Sequence, residues 1–331
     1  MNLDIAIIGA GPAGIAAAVQ LKRFDLAPHV FEKKHIGGLL WNAHWVENYP
    51  GFPGGISGAN LAMLFKNHLE TFHIPVIPDA VTSLDYHPEQ DCFQLTTDRE
   101  TYTANIVIAA PGTEPKTKGI LDIVPEELRQ YVVFEIFPPM ELTGKKIVIV
   151  GAGDIAFDYA LHLSQFQGNN ITLVHRSEKI NALPLLVWRV RATPGITLVS
   201  SAALKKVEKG DGYPLNLTFE SLAKIAPKPL NKSFVGSRAP RRGEPIKGFS
   251  KESLGAVILE ADILVGAIGR IPQTGFFSRN LREMEHQLIK DKRLYMVGDV
   301  INGHCRQAVI AAGNGVEAAM KIYEHRKRGN R

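Results

Sequence analysis

Two glycine-rich turns, each between a short apolar strand and an alanine-rich helix, predict an α/β protein with two Rossmann-like three-layer dinucleotide-binding domains. The first turn lies at 9–14 and the second at 151–156. A chain of 331 residues suits two domains of ordinary size. Strand-like segments near 105 and 263 each end in a glycine turn and can return the chain to the first domain. We therefore expect the second domain to be inserted into the first.

The first turn has the spacing G-x-G-x-x-G, formed by Gly9, Gly11 and Gly14. The glycines allow a tight turn, close approach of a pyrophosphate, and packing of the helix on the sheet. Glu32 follows the next strand, where a carboxylate accepts hydrogen bonds from both ribose hydroxyls and repels a 2′-phosphate. This pattern indicates FAD or NAD.

The second turn, with Gly151, Gly153 and Ala156, has the related spacing G-x-G-x-x-A. The following strand ends in His175 and Arg176 instead of an acid. A cation at this position suits the 2′-phosphate of NADP, so the pattern favours NADPH, and NADH stays an alternative.

A further strand near the C-terminus ends in Gly298 and Asp299, and a helix is predicted to start near Arg306. A carboxylate at a strand end and a fresh helix N-terminus can hold a second part of the same cofactor. A helix or turn cap is the alternative for Asp299.

Composition restricts the class of protein. Apolar residues make up 45% and charged residues 21%, as in a globular protein. The N-terminal apolar run is broken by Gly and Pro, so we expect no signal peptide, no membrane segment and a cytoplasmic location. The two cysteines and the histidines show no metal spacing. Because the net charge of +5 comes from one basic stretch, 221–251, it does not indicate nucleic-acid binding.

Together these motifs resemble those of the thioredoxin-reductase-like flavoproteins of the two-dinucleotide-binding-domain group, nearly end to end. The resemblance implies FAD in the first domain, NAD(P)H in a smaller inserted domain, a homodimer, and domain rotation about two crossover strands. The motifs that carry it are "GAGPAG", "GGLL", "VENYPGFPGGISG", "PGTEPK", "GAGDIAFD", "VHR", "GAIGRIPQT" and "RQAVIAAGNG".

The resemblance also implies the domain limits and the cofactor contacts. The FAD-binding domain is expected at 1–115 and 270–331, and the NAD(P)H-binding domain at 116–269. The expected FAD contacts are Gly9, Gly11, Pro12, Ala13, Gly14, Glu32, Lys33, Gly37, Gly38, Leu39, Asn48, Gly112, Asp299, Arg306, Gln307 and Ala308. The expected NAD(P)H contacts are Gly151, Gly153, Asp154, Ile155, His175 and Arg176.

The chain departs from this family at 134–137, which reads "FEIF". Counting back from Gly151, the redox-active C-x-x-C of thioredoxin reductases would fall on Phe134 and Phe137. Phenylalanine cannot exchange with a disulfide. The expectation is therefore that electrons pass directly from flavin to an external carrier, most readily ferredoxin, as in relatives that lack the cysteine pair. The alternatives are a disulfide reductase with unusual thiol use, an NAD(P)H oxidase, or a non-catalytic redox sensor.

The basic loop, two aromatic residues and one cysteine each have a functional and a purely structural interpretation. The basic loop 221–251 is a dock for an acidic carrier such as ferredoxin or flavodoxin, or a solvated loop. Trp45 and Tyr49 stack on the flavin or shield it, or they pack in the core or at a dimer contact. Cys305 has a redox role beside a helix start, or is a small buried side chain. No catalytic side chain is obligatory, because the cofactor carries the chemistry.

Overall fold

The computed structural model describes residues 1–137, 142–222 and 256–329. The strands of the described residues are β1 (Asn2–Ile8), β2 (Pro28–Phe31), β3 (Val76–Ile77), β4 (Val81–His87), β5 (Cys92–Thr97), β6 (Thr101–Ala109), β7 (Thr113–Pro115), β8 (Val132–Val133), β9 (Lys146–Val150), β10 (Asn170–His175), β11 (Ile196–Ser200), β12 (Ala202–Lys209), β13 (Leu215–Ser221), β14 (Ala256–Ala261), β15 (Ile263–Gly266), β16 (Arg270–Pro272) and β17 (Leu294–Met296). The α-helices are α1 (Pro12–Arg23), α2 (Gly58–Thr71), α3 (Asp154–Ser164), α4 (Pro184–Ala192), α5 (Arg279–Lys290) and α6 (Ala308–Gly329).

The first unit is built around a sheet in the order β3-β2-β1-β6-β5-β4, with β17 also paired to β6. β1 pairs in parallel with β2 and β6, whereas β4, β5 and β6 are antiparallel. From Ile5 to Ile8, alternate residues of β1 enter two different cores: Ile5 and Ile7 pack toward α1 and α6, and Ala6 and Ile8 pack toward α5. Burial on both faces explains why β1 is an almost continuous apolar run.

The second unit is built around a parallel sheet in the order β11-β10-β9-β15-β8. One face of this sheet packs against α3 and α4. The other face packs against an antiparallel sheet formed by β12, β13 and β14. Apolar layers therefore lie on both sides of the central strands.

The chain passes between the units through an antiparallel ribbon of β7 and β16, in which Pro115 is opposite Arg270. Strands β8 to β15 of the second unit lie, in sequence, between β6 and β17 of the first. The predicted α/β fold, with a second Rossmann-like unit inserted into the first, is confirmed. The predicted domain limits, 1–115 with 270–331 and 116–269, coincide with this ribbon and stay a prediction.

Two helices of the first unit begin at serine caps. The Ser57 side chain accepts a hydrogen bond from the Asn60 amide at α2, and the Ser278 side chain accepts one from the Leu281 amide at α5. α1 and α3 have no side-chain cap, which leaves their first amides available. Across the described ranges, no helix combines the length and apolar character needed to cross a membrane.

Candidate functional site

The first glycine turn has the shape required to hold an anion at the start of α1. Gly9 has a φ of 102°, a left-handed conformation that favours glycine. A Cβ atom on Gly14 would lie 1.9 Å from the Gly9 oxygen, so α1 can approach the turn this closely only with glycine there. A Cβ atom on Gly11 would meet nothing within 4 Å. This open space, next to the free amides of Ala13 and Gly14 in the first turn of α1, suits a pyrophosphate.

Glu32 lies beside this turn, immediately after β2. Its carboxylate accepts hydrogen bonds from the Ala10 amide and from the Lys34 amide, both at 2.8 Å. The two bonds fix the carboxylate next to the turn, where a dinucleotide of this fold places its ribose. Lys33, the next residue, is exposed.

A further turn, at Gly37 and Gly38, packs onto the first glycine turn. The Gly37 amide donates to the Ala10 oxygen at 2.7 Å, and a Cβ atom on Gly38 would lie 3.2 Å from the Gly11 Cα. Both glycines have positive φ values, 107° and 56°. Leu39 follows in a short 3₁₀ helix, Gly38–Asn42. The two predicted glycine-containing FAD stretches therefore meet.

The residues before α6 form the third side of this site. The Asn48 side chain donates to the Gln307 side chain at 2.6 Å. This bond joins the segment that follows Gly37 and Gly38 to the residues before α6. A Cβ atom on Gly298 would lie 2.8 Å from the Ala13 Cβ, so the end of β17 lies against α1. Burial raises the pKa of the Asp299 carboxyl.

Buried donors at this third side favour a polar ligand. Asn302 Nδ2 and Arg306 Nε are buried and have no hydrogen-bond partner among the described residues. A buried donor without an acceptor is destabilising. The ribityl and pyrimidine groups of FAD carry acceptors that would satisfy them, so these residues fit the cofactor. Gly112, with a φ of 67°, lies next to the ribbon, and its oxygen accepts from the Gln273 amide.

The second glycine turn repeats the first in the second unit. A Cβ atom on Gly151 would lie 2.4 Å from the Ala267 oxygen, whereas one on Gly153 would meet nothing within 4 Å. α3 starts at Asp154, whose carboxylate accepts from the Leu183 amide at 2.7 Å. Ile155 is exposed beside it. The open space at Gly153 suits the pyrophosphate of the nicotinamide cofactor.

His175 and Arg176, predicted to bind the same cofactor, are in different environments. The His175 ring is buried, its Nδ1 is 2.5 Å from the Ser177 oxygen, and its Nε2 has no partner in the described ranges. Arg176 is exposed at the end of β10. Of the two, Arg176 is therefore the side chain free to meet a 2′-phosphate.

The structure places the other candidate side chains as follows. Tyr49 packs against Phe52 and Phe65, and burial raises its pKa, as expected for core packing. Trp45 is 44% exposed. Cys305 is exposed and lies two residues before Gln307, whereas Cys92 is half-buried on β5.

The stretch 134–137 is held between the units. Phe134 packs closely on Gly266: a Cβ atom added to Gly266 would lie 2.5 Å from the Phe134 ring. Glu135 accepts from Arg270, which is buried, at 2.8 Å. The side chain of Asn42 accepts from the Ile136 and Phe137 amides at 2.8 and 3.0 Å. No sequence motif marks Asn42, and the motif "GAIGRIPQT", which contains Arg270, does not point to Glu135, because the partners lie 94 and 135 residues away.

Two sequence-based expectations remain, one about the basic loop and one about metal sites. Apart from residues 221 and 222, the basic loop 221–251 lies outside the described residues. Within the ranges that the structure does describe, no group of three or more His, Cys, Asp or Glu side chains has the arrangement of a metal site.

Comparison with known proteins agrees with this geometry. A model of the family described as "Pyridine nucleotide-disulphide oxidoreductase" matches residues 3–315. Thioredoxin reductase of Mycolicibacterium smegmatis is 27% identical, over 96% of this chain and 94% of its own. That of Streptomyces clavuligerus is 29% identical, over 96% and 92%.

Solved structures show the same fold. Thioredoxin reductase of Lactococcus lactis, in its FR conformation, has a TM-score of 0.76 at 22% identity and covers 97% of this chain and 98% of its own. Bacillithiol disulfide reductase of Bacillus cereus has a TM-score of 0.70 at 16% identity and covers 98% and 100%.

These findings overturn one expectation. Electron transfer to ferredoxin, or to another acidic carrier such as flavodoxin, is wrong as the leading function, because the relatives matched along nearly the whole chain carry the name thioredoxin reductase. The error has a physical source. The expectation depended on the absence of one cysteine pair. A disulfide can also be reduced through a thiol elsewhere in the protein, so the loss of that pair does not by itself exclude a disulfide substrate.

Proposed function

Because this chain belongs to the pyridine nucleotide-disulphide oxidoreductase family, we propose that it reduces the disulfide of a separate substrate without an internal C-x-x-C pair. The protein is an NAD(P)H-dependent flavin oxidoreductase that uses FAD and NADPH. The observation that supports a disulfide substrate is the similarity to thioredoxin reductases over 96% of the chain, which includes both glycine turns.

The electron balance agrees with this reaction. NADPH supplies one hydride and solvent supplies one proton, and the disulfide takes up two electrons and two protons to give two thiols. FAD, when bound, would supply the two-electron redox chemistry that connects NADPH with the thiol side. The chain's own residues bind and orient the cofactors, through the two glycine turns and the polar residues before α6.

Cys305 is the thiol we propose for contact with the substrate. It is exposed, and it lies two residues from Gln307, which hydrogen-bonds Asn48 in the predicted FAD site. Its thiolate would attack one sulfur of the substrate disulfide and release the other as a thiolate. Two electrons that originate from NADPH then cleave the sulfur–sulfur bond of the mixed disulfide, which regenerates the Cys305 thiolate and releases the remaining substrate sulfur as a thiolate. Cys92 is half-buried in β5 of the first sheet, away from these residues in sequence.

The test follows flavin absorbance without oxygen. NADPH should bleach the flavin, and oxidised thioredoxin or an aromatic disulfide should restore its colour. We expect Cys305→Ser to slow this restoration at least tenfold and Cys92→Ser, the matched control, to leave it unchanged. Equal rates in both variants would remove Cys305 from the reaction, while failure of every disulfide would refute the proposed function itself.

Two finer points belong to the same proposal. We expect NADPH to be preferred to NADH, because Arg176 is an exposed cation at the end of β10. We also expect a homodimer, as the resemblance to thioredoxin reductases implies. Light scattering of the holoenzyme tests this state, since a dimer has twice the mass of one chain.

A further inference from the structure

One short stretch of the first unit contacts three separate parts of the second. Residues 41–47, which we call the seam loop, follow the turn at Gly37 and Gly38. The loop contacts the stretch 134–137, helix α3 and helix α4. Together with the ribbon of β7 and β16, these contacts join the two units.

The first contact is with the stretch 134–137. The buried Asn42 side chain accepts from two successive amides, at Ile136 and Phe137. The Phe137 ring stacks on Trp41, with ring centres 4.7 Å apart and planes inclined by 24°. At the other end of the stretch, Phe134 packs on Gly266 of the second sheet. The stretch is thus attached to both units at once.

The second contact is with α3. Asp158 Oδ2 accepts from the His44 amide at 2.8 Å, and the Trp45 amide also faces this carboxylate. Asp158 lies one helical turn after Asp154, at the second glycine turn. The contact therefore fixes the seam loop to the helix that begins at the predicted nucleotide site.

The third contact is with α4. Arg189 makes two parallel hydrogen bonds to Glu47, at 2.6 and 2.8 Å. Paired bonds of this kind fix orientation as well as distance. Separating the units would break this pair and would also leave the acceptors of Asn42 and Asp158 without their amides.

We propose that the seam loop and residues 134–137 clamp the two units in one arrangement that serves the whole catalytic cycle, with Asn42 and Asp158 as positioning residues. The stretch at 134–137 carries no thiol that has to move between a cofactor and a substrate. The domain rotation that the resemblance to thioredoxin reductases implies would therefore have no thiol to carry in this chain. This inference goes beyond the proposed function, because it holds for any electron acceptor.

Cross-linking across the seam tests the proposal. In the holoenzyme with Cys92→Ser and Cys305→Ser, the pair Glu47→Cys and Arg189→Cys is joined by a short bismaleimide. Turnover of NADPH with ferricyanide, which requires no thiol, is then compared before and after cross-linking. The control pair, Lys205→Cys and Glu220→Cys, replaces an ion pair of 2.8 Å that lies within the second unit.

We expect the seam pair to cross-link within threefold of the control rate and the linked enzyme to keep at least half of its turnover. Two results overturn the proposal. Cross-linking more than tenfold slower than the control would mean that the seam is open in solution. A linked enzyme with less than a tenth of its turnover would mean that the units have to separate.

Variants of Asn42 test its positioning role by a readout other than activity. In the seam-cysteine protein, Asn42→Ala removes the shared acceptor and should slow cross-linking at least fivefold. Asn42→Asp keeps an oxygen that accepts from both amides and should stay within twofold of the parent. Equal rates for all three proteins would show that Asn42 does not position the seam.

Discussion

At the scale of single residues, the end of β10 shows how neighbouring side chains divide their roles. His175 points into the second unit and is almost fully buried, while Arg176 is exposed. Arg176 is thus the cation that we expect to distinguish NADPH from NADH at this strand end. Lys179 lies three residues further on and is exposed as well.

Replacement of Arg176 by Ala should therefore affect NADPH alone. A charge-assisted hydrogen bond contributes about 1.5–3 kcal/mol, so the KM for NADPH should rise about tenfold to a hundredfold. The KM for NADH should stay within twofold, and Lys179→Ala serves as the matched control. Steady-state kinetics with both cofactors measure this. An equal loss with NADH and NADPH would contradict the assignment of Arg176.

Two glycines of the first turn should respond differently to the same added methyl group. A Cβ atom on Gly11 meets nothing, whereas one on Gly14 would collide with the backbone of Gly9. We expect Gly11→Ala to fold normally but bind FAD weakly, because the methyl group occupies the space predicted for the pyrophosphate. Gly14→Ala should destabilise the protein itself, by about 1–3 kcal/mol.

Thermal unfolding of the apoproteins and FAD titration separate these two effects. If Gly11→Ala bound FAD as tightly as the parent, the pyrophosphate would not lie at this turn. Normal stability of Gly14→Ala would mean that α1 can shift away from the sheet at little cost.

At the scale of elements, helix α3 makes contacts at two positions, one turn apart. Its first residues face the second glycine turn, and Asp158 on the following turn meets the seam loop. Burial and the charge of Asp154 raise the pKa of Asp158 to about 6, although the His44 and Trp45 amides and Arg189 lower it. The pKa of His44 and of His162 nearby is lowered by burial.

The raised pKa gives stability a defined pH dependence. The folded pKa of Asp158 lies above the usual 3.8, so its contribution is complete below pH 3.8 and is lost as the pH rises through about 6. From pH 8 to pH 5 the parent should gain about 1–1.5 kcal/mol relative to Asp158→Asn. Comparison with this variant cancels the opposite contribution of the histidines.

Denaturant unfolding at pH 5, 6, 7 and 8 measures this difference. Asp262→Asn is the control, since Asp262 is also partly buried and accepts a backbone amide, from Lys146, but makes this contact within the second unit. A constant difference between the parent and Asp158→Asn across this range would mean that Asp158 does not titrate at the seam.

At the scale of the whole molecule, Arg270 links the ribbon of β7 and β16 to the stretch 134–137. Its side chain is only 5% exposed and donates to the side chain and the carbonyl oxygen of Thr113 and to Glu135. The ribbon carries the chain from one unit to the other, and Glu135 belongs to the stretch that both units hold. Arg270 therefore couples the covalent and the non-covalent connections.

Arg270→Met should reduce the free energy of unfolding by about 2–4 kcal/mol, because it leaves Glu135 and Thr113 without their buried partner. The remaining contact of Glu135 with Lys34, at 3.7 Å, compensates only in part. The exposed pair Arg279–Glu283 is the control, since Arg279→Met should cost less than about 1 kcal/mol. Similar losses for both variants would show that Arg270 has no special role.

The sequence by itself determined the two glycine turns, the strand–turn–helix units around them, the nesting of one unit in the other, and the absence of a cysteine pair at 134–137. The glycine turns can be read from the sequence because the backbone needs glycine wherever a turn is left-handed or a helix packs tightly on a strand. The tertiary structure alone decided that His175 is buried, that Tyr49 packs against Phe52 and Phe65, and that Asn42, Asp158 and Arg270 connect the units. Their partners are distant in sequence, and an ordinary Asn, Asp or Arg has no local pattern that predicts which buried amide or carboxylate it will meet.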